Sequence, residues 1–426
     1  MIKWPSLAII AILTTHIAGA LSQDIRFMTG RVEDAVSHEP IAGAVVSQSG
    51  YETRTGRNGR FSIPVTTECR NARVLVRAPG FGRNSVAPTC DGSDISSVAL
   101  FPVRPKAVYL SVYGIANSTL RDDALSLPAS TAVNALVIDI KGDRGQTPYP
   151  SLAREAIGAD INESEAAPRV PDLAGLIGQL HARGLYLIAR IVVFKDDPLA
   201  ATRPEWAVHD VRGKPWRDRE NLRWIDPTIR AAWSHQFDLA EEAARLGFDE
   251  IQFDYLRFPD ASGLRFSEPN THGNRVAAIT EFLIAARARL RPYNVFVSAD
   301  IFGYACWNPD DTAIGQQIET LSTALDYISP MLYPSSFTWG LPGCDRPTDH
   351  PAEIVGRSLA EAKRRTGLPG VRFRPWLQAF RDFAFDRRSF EASEIREQVE
   401  AADAAGTDGW MLWNPRNRYP QEDMPK

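Results

Sequence analysis

From residue 107 to residue 413, short apolar strand-like runs alternate with stretches of helical spacing. No other feature of the chain limits its fold as tightly. The strand-like runs are Ala107–Tyr113, Ala135–Ile140, Leu185–Val193, Glu250–Asp254, Val295–Asp300, Tyr327–Leu332, Arg372–Gln378 and Gly409–Trp413. Several, such as ALVIDI and LYLIARIVV, are almost continuously apolar, the signature of strands covered on both faces. Between them, Asp172–Arg183, Pro227–Leu246, Arg275–Leu290, Pro351–Thr366 and Ser393–Ala405 carry apolar residues at helical spacing. Gly184, Gly247, Gly367 and Gly406 stand where those helices should stop. Eight strands alternating with helices predict an α/β chain whose main domain, residues 106–419, is a (β/α)8 TIM barrel. An open doubly wound sheet is the competing arrangement, but no GxGxxG opens any of the helices.

In such a barrel, chemistry sits where strands deliver side chains at their C-terminal ends. The second strand ends in Asp139 and Lys141, with Asp143 behind. The third offers Arg190, and the fourth Gln252, Asp254, Tyr255 and Arg257. The fifth ends in Asp300, the sixth leads to Tyr333, the seventh carries Trp376 and Gln378, and the eighth ends in Trp413. Paired carboxylates beside aromatic rings are the equipment of glycosidic bond cleavage. One carboxylic acid protonates the leaving oxygen, while the other acts as nucleophile or base. Asp254 and Asp300 come from adjacent strands and are the expected pair, with Asp139 in reserve. Lys141, Arg190, Gln252, Tyr255, Arg257 and Gln378 are expected to bind substrate, and Tyr333, Trp376 and Trp413 to stack on sugar rings. No HExxH, GxSxG or P-loop is present, so zinc hydrolysis, serine hydrolysis and nucleotide chemistry have no support. Neither a metal nor a cofactor is called for.

Ahead of the barrel, Ile25–Pro102 is strand-like text punctuated by glycine, proline and asparagine. Met28–Val32, Ala44–Ser47, Arg60–Ile63 and Val74–Arg77 are the strand candidates. The first twenty residues read as a secretory signal, with Lys3, an apolar run from Leu7 to Leu13, and Ala18-Gly19-Ala20 as the cleavage site. Cleavage near Ala20 implies a secreted or periplasmic protein with no stable membrane insertion. In that setting the four cysteines suggest disulfides, Cys69 with Cys90 and Cys306 with Cys344, other connectivities remaining open. The net charge of −4 gives no basic face for nucleic acid.

Two resemblances sharpen these readings. GRV, PIAGAVV and TGRNGRFSI, in that order, resemble the carboxypeptidase-regulatory-like, prealbumin-type β-sandwich, which implies an accessory module over residues 25–102. From about Lys106 to Tyr419 the text resembles a glycoside hydrolase family long known as a domain of unknown function, a TIM-barrel group distantly like the α-amylases. NALVIDIKGDRG, IARIVVFKD, GFDEIQFDYLRFP, SADIFGYACW, DYISPMLYPSS, RPWLQ and GWMLWNPRNRY carry this second likeness. It implies that Asp254 stands at the catalytic strand-four position. It also puts Asp300 where such barrels usually carry a glutamate, so the acid here has a shorter reach. The expected function is cleavage of a polysaccharide. The alternative is a carbohydrate-binding or envelope-assembly protein using the same rim without catalysis. A carboxylate pair locked by buried arginine would favour the alternative.

Overall fold

The computed structural model describes residues 26–65, 69–91, 93–158 and 168–426. The expected secretory signal lies outside these described residues. Eight parallel strands close into a barrel: Lys106–Leu110, Ala135–Lys141, Tyr186–Val192, Glu250–Asp254, Phe296–Phe302, Tyr327–Met331, Trp376–Gln378 and Trp410–Trp413. They are referred to below as the first to the eighth strand. The ring is complete because the eighth strand pairs with the first, Met411 opposite Ala107. Each of the eight overlaps its sequence-predicted run.

The helices also fall where helical spacing placed them, including Trp233–Leu246, His272–Leu290 and Pro351–Thr366. Gly247 ends the first of these at φ 109°, a left-handed backbone that a side chain would strain. Gly409 has a second reason to be glycine. A Cβ there would lie 1.8 Å from the Pro105 carbonyl, where the eighth strand enters beside the first. Strand alternation sorts the apolar residues into two layers. Leu136, Ile138, Ala189, Ile251 and Phe253 pack outward against the helices, whereas Ala135, Val137, Ile188, Phe296 and Met411 fill the interior.

The N-terminal module is built from a three-stranded and a four-stranded sheet. Met28, Val32, Val46, Phe61, Val76 and Val98 share one core between them. All four predicted strands form. Tyr51–Arg54, Asn84–Val86 and Ile95–Leu100 are added to them. Cys69 and Cys90 are disulfide-bonded with their Cα atoms 5.7 Å apart, within the span a disulfide bridges.

The second expected bridge is a correction: Cys306 and Cys344 are free, buried thiols. Cys306 closes the turn Gly303–Cys306, and Cys344 pairs its backbone with Leu341 in another turn. Two cysteines in one domain are not bridged unless their Cβ atoms also face each other.

The module seals the barrel floor, at the end away from the strands' C-termini. Arg83 donates to the Gly247 carbonyl (2.9 Å) and to Asp249 (3.2 Å), just before the fourth strand. Asn294 donates to the carbonyls of Val76 and Asn84. Arg77 reaches Asp326 at 3.4 Å, and the Gly80 amide donates to Tyr327.

Candidate active site

The functional side chains gather around one buried guanidinium. Arg190 sits at the C-terminal end of the third strand, opposite Asp139 on one side and Gln252 on the other. Its Nη1 donates to Asp139 Oδ1 at 2.7 Å. Nε and Nη2 both donate to Asp254 Oδ2, at 2.9 and 2.5 Å. Nη2 also reaches Asp143 at 3.3 Å, and Nε lies 3.9 Å from Asp300 Oδ2. Four carboxylates thus converge on one cation. The guanidinium also lies 4.9 Å from the Trp413 ring centre and 5.5 Å from that of Tyr109, whose rings stack 3.9 Å apart.

The carboxylates differ in their surroundings. Asp254 accepts two hydrogen bonds from Arg190 and a third at Oδ1 from the Tyr255 amide (2.5 Å), the environment of a charged acceptor. Tyr255 reaches that position at φ 48°, a left-handed backbone that costs energy in a non-glycine residue and is characteristic of functional sites. Asp300, 1% exposed, has one hydrogen bond from a neutral donor, the Trp376 indole, at 2.7 Å. Burial, with the Asp254 charge beside it, raises its pKa well above the carboxylate range despite the more distant Arg190. Burial also lifts Asp139 to about 6, although Arg190 and the Tyr109 hydroxyl (2.6 Å) both favour its charged form.

A cavity of about 1230 Å³ opens above this cluster. Asp143, Arg190, Asp254, Tyr255, Arg257, Tyr333, Trp376 and Trp413 form its inner wall. Asp143, placed behind Asp139 in the sequence reading, is the more open of the two: its side chain is 39% exposed against 3% for Asp139. Asp300 and Asp139 lie just beneath the wall. Arg257 stands over the Trp224 and Tyr255 rings, its centre 5.0 and 5.3 Å from theirs.

Three expected substrate contacts are corrected. Lys141 is fully buried and donates to Asp196 at 2.6 Å, in a cluster with Arg154 and Gln236 behind the barrel wall. The cause is a register shift: Asp139 pairs with Arg190, but Lys141 pairs with Ile191, so a bulge turns Lys141 to the outer face. Gln252 is buried in the interior and donates to Ser329 and the Met411 sulfur. Gln378 is spent on the neighbouring loop, accepting from the Ser335 amide and donating to its hydroxyl. The two tryptophans are partly committed as well, Trp376 by its bond to Asp300 and Trp413 by stacking on Tyr109.

What the sequence reading missed is a set of rings farther out. Trp339, Phe380 and Phe383 all line the cavity, beyond Tyr304 just after the end of the fifth strand. Trp339 is 83% exposed. The available signal was an aromatic residue in the glycine- and proline-rich loop that follows the sixth strand. Among the described residues no group of His, Cys, Asp or Glu is arranged to hold a metal.

Residues 107–419 match the profile of a family described as "Putative glycosyl hydrolase domain". No curated protein matches the chain by sequence. Among solved structures, a hypothetical protein from Ruminiclostridium thermocellum is 34% identical over 45% of this chain and 96% of its own, at a TM-score of 0.39. The PgaB (BpsB) glycoside hydrolase domain from Bordetella bronchiseptica is 16% identical over 76% of this chain and 99% of its own, at a TM-score of 0.55. That second likeness is one of fold. A class V chitinase from Pseudomonas fluorescens covers 74% of this chain and 97% of its own, at 13% identity and a TM-score of 0.46.

Proposed function

We propose, from the premise that the chain belongs to this glycosyl hydrolase family, that it is an exported enzyme hydrolysing glycosidic bonds of a polysaccharide. One observation carries the reading. Asp254 and Asp300 meet at the same guanidinium nitrogen, yet Asp254 accepts two hydrogen bonds from that cation while Asp300, farther from it, is pushed toward its protonated form. Pairs of acids whose surroundings separate their protonation are the mark of acid and base roles at neutral pH.

In this reading the Asp300 carboxyl protonates the leaving glycosidic oxygen. Asp254 attacks the anomeric carbon or takes a proton from the attacking water, and the positive charge that develops on the sugar faces it. Arg190 holds Asp254 through Oδ2 and fixes its orientation, leaving Oδ1, which accepts from the Tyr255 amide, as the freer oxygen. Asp139, whose pKa of about 6 lets it hold or release a proton near neutrality, is the third candidate. Tyr333 lines the cavity, and the charges of Asp300 and Asp254 raise its pKa on top of burial, placing its ring close to both. The N-terminal module, as a carboxypeptidase-regulatory-like sandwich, supports the barrel from below and takes no part in the chemistry.

The alternative of a carbohydrate-binding protein keeps one specific support. A buried arginine grips Asp254, and Asp300 is 1% exposed beneath Trp376. One experiment separates the two. A panel of envelope and plant polysaccharides is incubated with the parent protein and with Asp254→Asn, and released reducing ends are measured. Hydrolysis predicts release from at least one polysaccharide and a rate at least about 100-fold lower in the variant. Binding without release, or full activity in Asp254→Asn, removes Asp254 from the mechanism.

A further inference from the structure

Two rows of aromatic rings lead outward from the carboxylates. The first starts at Phe302, two residues beyond Asp300, and continues to Tyr304 and Trp339 with ring centres 5.6 Å apart at each step. The second runs from Tyr333 to Phe380 at 5.4 Å and on to Phe383, whose ring lies parallel to that of Phe380 at 6.2 Å. All six rings line the same cavity. Its volume of about 1230 Å³ exceeds the roughly 300–1,000 Å³ that suits one small ligand.

Trp339 is the outermost member, and folding does not account for it. Its indole is 83% exposed, yet its backbone is fixed. The Trp339 amide donates to the Tyr304 hydroxyl at 3.0 Å, and that hydroxyl donates to the Gly340 carbonyl at 3.1 Å. Gly340 turns the chain at φ 68°, where a Cβ would meet the Cys344 carbonyl at 2.5 Å. A large flat ring carried on a fixed backbone at the mouth of a cavity costs no backbone ordering when something stacks on it.

We propose that Trp339 is an outer sugar platform, and that the cavity holds a polysaccharide segment several rings long rather than a single sugar or a disaccharide. The apolar faces of pyranose rings match the two aromatic rows. The hydroxyls at their edges meet the polar groups of the inner wall. This deepens the glycoside hydrolase reading and rests on it for the orientation of the chain toward Asp254.

The test is affinity electrophoresis of the parent, Trp339→Ala, Trp339→Phe and Asp254→Asn. The gels contain glycol chitin, hydroxyethyl cellulose, pectate or galactomannan, and reducing-end release from each polymer is measured in parallel. The parent should be retarded in at least one gel. Trp339→Ala should lose about fivefold in affinity, while Trp339→Phe stays close to the parent, and Asp254→Asn should lose reducing-end release but still be retarded. Hexasaccharides of the retained polymer should compete, and its monosaccharide should not. Equal retardation of Trp339→Ala and parent, free migration of the parent in every gel, or competition by the monosaccharide overturns the proposal. Retardation that depends on Trp339 without any reducing-end release keeps the platform and removes the hydrolase reading. Release with unchanged retardation in Trp339→Ala does the reverse.

Discussion

Replacing Asp139 with asparagine tests the electrostatics of the site without needing a substrate. Burial raises the Asp139 carboxyl from its usual 3.8 to about 6, and the group is 2% exposed, so solvent does little to dilute the effect. Each tenfold change in acidity corresponds to about 1.4 kcal/mol between protonation states, so Asp139 accounts for about 3 kcal/mol. The sign follows from proton uptake. The folded protein holds this proton more tightly than the unfolded chain does. Its contribution is therefore fully present below about pH 4, falls as pH rises through about 6, and stays flat above that. Asp139→Asn cannot titrate. It also weakens the hydrogen bond from Arg190 Nη1, but that offset is the same at every pH. Urea unfolding followed by tryptophan fluorescence, run on both proteins from about pH 4 to about pH 7, gives the difference between their stabilities. That difference, parent minus variant, should fall by about 2 kcal/mol across the range. A flat difference would refute the claim that Asp139 is forced toward protonation, and a rising one would mean that Arg190 outweighs burial.

Asp300 gives the matching kinetic prediction. With its pKa raised well above normal by burial and by Asp254, kcat/KM of the parent should decline on the alkaline side as the acid is lost. Asp300→Asn should be about 10²–10⁴-fold slower and lack that decline; a pH profile with the alkaline limb intact would exclude Asp300 as the acid. Lys141→Met should lower stability by about 3–5 kcal/mol in urea unfolding, because it leaves a buried Asp196 short of one cation, yet KM should not move. Arg83→Ala cuts the bonds between the module and the barrel floor and should cost about 1–3 kcal/mol, read as a lower melting temperature at unchanged KM. Thiol titration without reductant should label neither Cys306 nor Cys344 in the native protein and both in denaturant.

Much of this architecture was legible in the sequence, for physical reasons that also mark where legibility ends. Barrel strands covered on both faces are apolar almost without interruption, so ALVIDI and LYLIARIVV announce themselves. Positive-φ glycines such as Gly247 and Gly367 mark where helices stop. Strand ends can be assigned to one rim because parallel strands all point the same way, which brings Asp139, Arg190, Asp254 and Asp300 together from sequence alone. The face a residue takes near a strand end is another matter. Lys141 shares the parity of Asp139 in the sequence, and only the bulge between them sends it outside. Burial depth is equally hidden: Gln252 and Gln378 read as rim residues but are consumed by internal hydrogen bonds. Trp339 was missed for the opposite reason, since its loop has no periodicity and its importance lies in exposure.

The barrel interior carries two arginine-centred layers, and comparing them shows why only one is suited to chemistry. Near the floor, Arg374 donates to Glu250 at 2.5 Å and Asp408 at 2.9 Å, lies 4.1 Å from the Tyr327 ring centre, and is closed off from below by the N-terminal module. One cation faces two acids there, and none of the three lines the roof cavity. At the roof, one cation faces four carboxylates, Asp139, Asp143, Asp254 and Asp300. Asp143 is open to solvent, but Asp139, Asp254 and Asp300 are buried, and three buried negative charges around one positive charge are costly at low dielectric, which favours retention of a proton. The proton is kept where the compensation is poorest, at Asp300, which is buried, bonded to a neutral indole and farthest from Arg190. Asp254 instead accepts two of the guanidinium hydrogen bonds. In the proposed reading, an excess of acids over one buried cation leaves a protonated Asp300 beside the arginine-bound Asp254 carboxylate. That combination is what cleavage of a glycosidic bond requires.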